Sequence, residues 1–100
     1  MAVLSDDEVQ ERLGRLDGWE RRDGSIVRTF QFEDFQGSVD FVNRITPPAE
    51  EMSHHPDLEI SWNKVTVTLS THSEGGVTAK DLELARKIDD LARQAGAVPA

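Results

Sequence analysis

With 100 residues, 37% of them hydrophobic, the chain has material for one compact core and not two, so a single domain over residues 1–100 is expected. It has no cysteine, which excludes disulfides and thiolate metal sites. Its 19 acidic residues against 11 basic ones give a formal charge of −8, which opposes direct nucleic-acid binding and is otherwise the ordinary charge of a soluble surface. No segment approaches the ~20 apolar residues of a membrane span, and the start "MAVLSDDEVQERL" has neither a basic lead nor a signal-peptide core, so a cytoplasmic protein is expected.

The first helix announces itself at Ser5, where Ser5 and Glu8 have capping-box spacing and Leu4 can meet Val9 as a staple. Val9, Leu13 and Leu16 recur at helical spacing, and Asp17-Gly18 is expected to end the element. In "WERRDGSIVRTFQF", Asp23-Gly24 is a hairpin signal between two strands that carry Trp19, Ile26, Val27, Phe30 and Phe32. A second helix starts after Asp34 as N-cap, with an apolar stripe of Phe35, Val39, Val42, Ile45, Ala49 and Met52. Pro47 and Pro48 fall inside it and predict a break, as a kink and not a chain reversal since Ala49 and Met52 stay in phase, because Pro48 cannot donate to Arg44 and its ring crowds that carbonyl. Thr46 could then cap a second piece, with Pro47 at its first position.

Beyond Pro56, Leu58, Ile60 and Trp62 alternate with polar residues, and Val65, Val67 and Leu69 do the same after a turn placed at Asn63-Lys64. The last helix starts at Thr78, with Asp81 three residues on and Val77 and Leu82 as a staple. Leu84, Ala85, Ile88, Leu91, Ala92 and Ala95 form its inner stripe, and Gly96 stops it. The fold class is therefore α+β, in the order α-β-β-α-β-β-α, a four-stranded antiparallel sheet with its helices packed on one face.

All three histidines fall within "HHPDLEISWNKVTVTLSTH": His54 and His55 before Pro56, and His72 beside Thr71 and Ser73. A loop histidine is often merely solvated. Three in so short a window suit proton transfer, since an unperturbed imidazole titrates at about 6.5 and both donates and accepts near neutrality. His54 and His72 are expected at the mouth of a cleft, so that removing either strands no buried partner. Adjacent histidines lack the i, i+4 spacing of a helical zinc site, and no serine sits in a nucleophile-elbow glycine pattern, so neither a metal centre nor a serine hydrolase is expected.

Glu50, three residues, "HHP", five residues, Trp62, nine residues, His72, eight residues and Asp81 together resemble the signature of the pterin-4a-carbinolamine dehydratases. "GWERRDGSIVRTFQF" and "WNKVTVTLSTH" extend the resemblance over most of residues 5–95. It implies dehydration of 4a-hydroxytetrahydrobiopterin, or a related pterin, to quinonoid dihydropterin in tetrahydrobiopterin recycling, without metal or organic cofactor. By that resemblance His54, His55 and His72 are the catalytic set, with His54 and His72 exchanging protons and His55 holding the pterin. Glu50, Ser53, Pro56, Trp62, Thr71, Ser73 and Asp81 are the surrounding binding or supporting residues. Asp81 has two readings, the cap of Thr78 or the orienter of His72. Glu50 also has two, a solvated helix residue or the orienter of a histidine. Trp62 suits core or interface packing better than stacking on the pterin. The resemblance further implies a homodimer or homotetramer. A second functional class, a protein-interaction module or transcriptional dimerisation cofactor built on the same fold, stays open.

Overall fold

The computed structural model describes residues 3–98. Its elements are α1 (Asp6–Leu13), β1 (Glu20–Arg22), β2 (Ser25–Gln31), α2 (Phe35–Met52), β3 (Asp57–Ser61), β4 (Lys64–Leu69) and α3 (Ala79–Gln94), with a 3₁₀ turn at His72–Glu74. The expected order α-β-β-α-β-β-α is present. The four strands form one antiparallel sheet in the order β1-β2-β4-β3.

Caps open all three helices where the sequence places them. Ser5 and Glu8 close a full capping box, Asp34 accepts from the Gly37 amide, and Thr78 with Asp81 closes a second box. Asp23 and Gly24 link β1 to β2 with φ of 42° and 57°, the doubly left-handed turn whose twist suits a two-residue hairpin. The core lies between the sheet and the helices, where Phe41 of α2 sits 4.9 Å from Phe30 and 5.0 Å from Phe32 between ring centroids. Ile26, Val65, Val67 and Leu69 from the sheet and Leu84, Ala85 and Ile88 from α3 are completely buried around them.

Four local expectations change. α1 closes at Gly14, about one turn before Asp17-Gly18, and Leu16 is buried from the following turn instead. The buried line of α2 is Ser38, Phe41, Ile45 and Ala49. Phe35 stays exposed, while Val39, Val42 and Met52 flank the line half-buried. The prolines do not divide the element into two helices: one helix runs from Phe35 to Met52 with Pro47 and Pro48 inside it. The carbonyls deprived of partners belong to Asn43 and Arg44 on the exposed side, where water can serve them. Thr46 caps nothing; its hydroxyl donates back to the Val42 carbonyl at 3.3 Å. Finally, the β3–β4 turn is Trp62-Asn63, since Ser61 pairs with Lys64.

The two sheet edges differ. β1 is three residues of charged sequence, whereas β3 is five residues, all exposed, with Leu58 and Ile60 on the face of the buried Val67 and Val65 they pair with. Trp62, at 68% relative exposure, extends that apolar edge.

Trp19 is anchored across the core by a 2.9 Å bond from its Nε1 to Asp89 Oδ1, which also accepts from Arg28 at 3.0 Å. Burial raises the Asp89 carboxyl above its usual range, outweighing the two donors that pull it down. The folded chain therefore holds this proton more tightly than the unfolded chain. The contribution of Asp89 to stability is full below the unfolded-state value and is lost as pH rises through the folded-state value. Asp89→Asn should accordingly gain on the parent in urea unfolding as pH goes from about 3 to about 7. A difference that stays constant across that range would contradict the burial effect.

Candidate active site

The histidine pair is aimed by a single backbone feature. Ser53 ends α2 with φ 49° and ψ 42°, a left-handed conformation that costs a non-glycine residue about 1–2 kcal/mol. Around it the Ser53 amide donates to the Glu50 carbonyl at 3.1 Å and the His54 amide to the Ala49 carbonyl at 2.9 Å, the Schellman closure of a helix end. The chain turns sharply there, sending His54 into the protein and leaving His55 outside.

His54 is buried, and its Nε2 lies 2.5 Å from Oδ1 of Asp81, itself completely buried. The second Asp81 oxygen accepts from the Thr71 hydroxyl and from the Thr78 amide, both at 2.9 Å. The Thr71 and Thr78 hydroxyls are 2.8 Å apart. One carboxylate thus caps α3, ties down the end of β4 and orients an imidazole. With Asp81 as acceptor, His54 Nε2 carries the proton. Every buried side-chain nitrogen and oxygen among the described residues has a hydrogen-bond partner, so Nδ1 is the ring nitrogen left toward the surface.

Asp81 is therefore a cap and an orienter at once, but of His54, where the sequence pointed to His72. The expectation that His54 stands at a cleft mouth without a buried partner also fails. Its removal would leave Asp81 Oδ1 bare in the interior.

His55 and His72 are the exposed members, with 62% and 77% of their side chains accessible. His55 Nε2 lies 3.2 Å from Glu50 Oε1, so Glu50 does meet a histidine, five residues on. His72 opens the 3₁₀ turn just beyond β4, pinned by the Thr71 amide on the Gly76 carbonyl at 2.9 Å and by left-handed Gly75. Its Nε2 is 3.9 Å from Asp57 Oδ2, at the start of β3. Asp57, which directly follows Pro56, was not singled out in the sequence; the β3–β4 hairpin, in which Asp57 pairs with Thr68, brings it to the end of β4 beside His72. Each imidazole consequently has its own carboxylate: Asp81, Glu50 or Asp57.

A small cleft of about 170 Å³ adjoins His55, lined by Glu50, Pro56 and Leu58 together with Ile45, Thr46 and Ala49. Ser73 is exposed in the 3₁₀ turn. Trp62 stands at the far end of β3 from Asp57, about 16 Å away at ~3.3 Å per residue, so it does not share a site with His72 in one chain. No group of three or more His, Asp or Glu side chains among the described residues is arranged to hold a metal ion.

An α+β domain with three imidazole–carboxylate pairs gathered around one helix end and one strand end is thus in place. Residues 2–91 match the family described as pterin 4 alpha carbinolamine dehydratase. The chain belongs to that family, which is one of hydro-lyases. It is 50% identical over 88 residues to a protein of Sulfolobus acidocaldarius provisionally named pterin-4-alpha-carbinolamine dehydratase, covering 88% of this chain and 97% of the relative. A similarly named protein of Thermosynechococcus vestitus is 51% identical over 89 residues, covering 89% of this chain and 94% of the relative. Among solved structures, a transcriptional coactivator/pterin dehydratase from Brucella melitensis matches with a TM-score of 0.86 and 41% identity, covering 90% of this chain and 98% of that one. A pterin dehydratase-like RuBisCO assembly factor of the alpha-carboxysome matches with a TM-score of 0.62 at 19% identity, over 74% of this chain and 86% of that one, which speaks to the fold alone.

Proposed function

We propose that this chain dehydrates a 4a-hydroxytetrahydropterin, with 4a-hydroxytetrahydrobiopterin as the reference substrate, to the quinonoid dihydropterin, and so serves tetrahydropterin recycling in the cytoplasm. The observation that carries this reading is the division of the imidazoles into one buried and two exposed, each beside a carboxylate. Elimination breaks the C4a–O bond and removes the N5 proton. The hydroxyl takes a proton from an imidazolium and leaves as water, a neutral imidazole accepts the N5 proton, and the C4a=N5 bond forms. Two protons move and no electrons are exchanged, so the step calls on no metal or organic cofactor.

A group that trades protons with substrate must reach it freely, and His55 and His72 carry the exposed rings. We therefore assign the two transfers to them, each beside a carboxylate, Glu50 or Asp57. This moves His55 from holding the pterin to proton transfer. His54, clamped by Asp81, fixes the shape of the site and offers Nδ1 as an acceptor. The cleft beside His55 is smaller than the roughly 300 Å³ at which ligand sites begin, and Leu58 belongs both to it and to the open β3 edge. Pairing of two copies along β3 would enclose that side, supporting a homodimer, or a tetramer of dimers, with Trp62 packed in the interface.

The second reading, an interaction module, draws on the same open edge and on the naming of the Brucella protein as a transcriptional coactivator. Binding of dihydrobiopterin by the purified protein separates the two. Under the dehydratase reading a saturating ligand raises the melting temperature in a concentration-dependent way, and His55→Ala with His72→Ala weakens that response. No response at any concentration favours the module.

A further inference from the structure

A second cleft, of about 480 Å³, lies away from the histidines, between the turn after α1, β2 and α3. An adjoining hollow of about 340 Å³ shares Arg15 and Arg86 with it and adds Arg12. With Arg28 and Arg93, five of the 11 basic residues gather here, and five acids, Glu8, Glu11, Asp17, Asp89 and Asp90, line the same two hollows.

The cations are not equivalent. Arg28 is held by Asp89 and lies 4.5 Å from the centre of the Phe30 ring. It also packs so close to Gly18 that a Cβ there would come within 2.7 Å of its Nε. Arg93 pairs with Asp90. Arg15 and Arg86 come from different elements, line both hollows, and have no carboxylate within ion-pair distance among the described residues. Arg15 and Arg86 pair with none of those five carboxylates, which leaves both guanidiniums free for an anion. An oxyanion with several acceptor oxygens satisfies both forks at once.

We propose that this cleft binds the phosphate group of a small phosphorylated ligand, gripped by Arg15 and Arg86 above the fixed Arg28. The space exceeds that of a bare phosphate and falls in the range of small-molecule sites, which begins near roughly 300 Å³. The site is independent of the dehydratase reading.

Inorganic phosphate is the probe, titrated by calorimetry into the full chain at constant ionic strength held with chloride. The expected result is saturable binding that weakens at least roughly tenfold in Arg15→Gln/Arg86→Gln, as loss of two charge-assisted contacts requires. Both side chains are exposed and unpaired, so the variant should melt with the parent in phosphate-free buffer. Heat no different from that of chloride overturns the proposal, and so does binding by the double variant at the parent's affinity.

Discussion

Asp81→Ala should lower the unfolding free energy by about 3–5 kcal/mol, the cost of removing one partner from a buried, hydrogen-bonded charged network. The size follows from one carboxylate serving His54, Thr71 and the Thr78 amide together. Without it His54 Nε2 and the Thr71 hydroxyl lose their acceptor in the interior, and α3 loses its capping box. For a domain of this size each kcal/mol moves the melting temperature by about 4–8 °C, so a fall of at least about 12 °C is expected by calorimetry. A shift of less than about 3 °C would show that the network is not the keystone described here. His54→Ala, which strands only Asp81 Oδ1, should cost less, about 1–3 kcal/mol.

The exposed histidines should behave in the opposite way. His72→Ala and His55→Ala are each expected to slow dehydration by roughly 10²–10⁴-fold, the usual loss on removing a general acid or base. Neither fills core space, and each touches only an exposed carboxylate, so stability should stay within about 0.5 kcal/mol of the parent. Activity lost without stability lost identifies a proton-transfer group; the two lost together identify a structural one.

The contrast also shows what the sequence could and could not disclose. Caps and turns were legible because their chemistry is local: Ser5, Asp34 and Thr78 stand within three residues of the amides they serve, and Asp23-Gly24 makes its turn unaided. The grouping of His54, His55 and His72 was read from the family spacing. Their partners were not, because Asp81 is 27 residues from His54 and Asp57 is 15 from His72, distances closed only by the packing of α3 and the β3–β4 register. Phe41 was missed for a related reason. A stripe started at Phe35 runs along the flank of the buried line, and only the sheet decides which side of α2 is covered. The proline pair does not end α2, and Asn43 and Arg44, whose carbonyls it deprives of a helical donor, are exposed residues.

The central claim, that exposed imidazoles on this chain dehydrate a pterin carbinolamine, is tested most directly by stopped-flow absorbance. Freshly generated 4a-hydroxytetrahydropterin would be mixed with the parent and with the double variant His55→Ala/His72→Ala. The account predicts rapid conversion to quinonoid dihydropterin by the parent, in the presence of chelator as in its absence, and decay near the uncatalysed rate with the folded double variant. Parent-like turnover by that double variant, or a parent no faster than buffer, would contradict it.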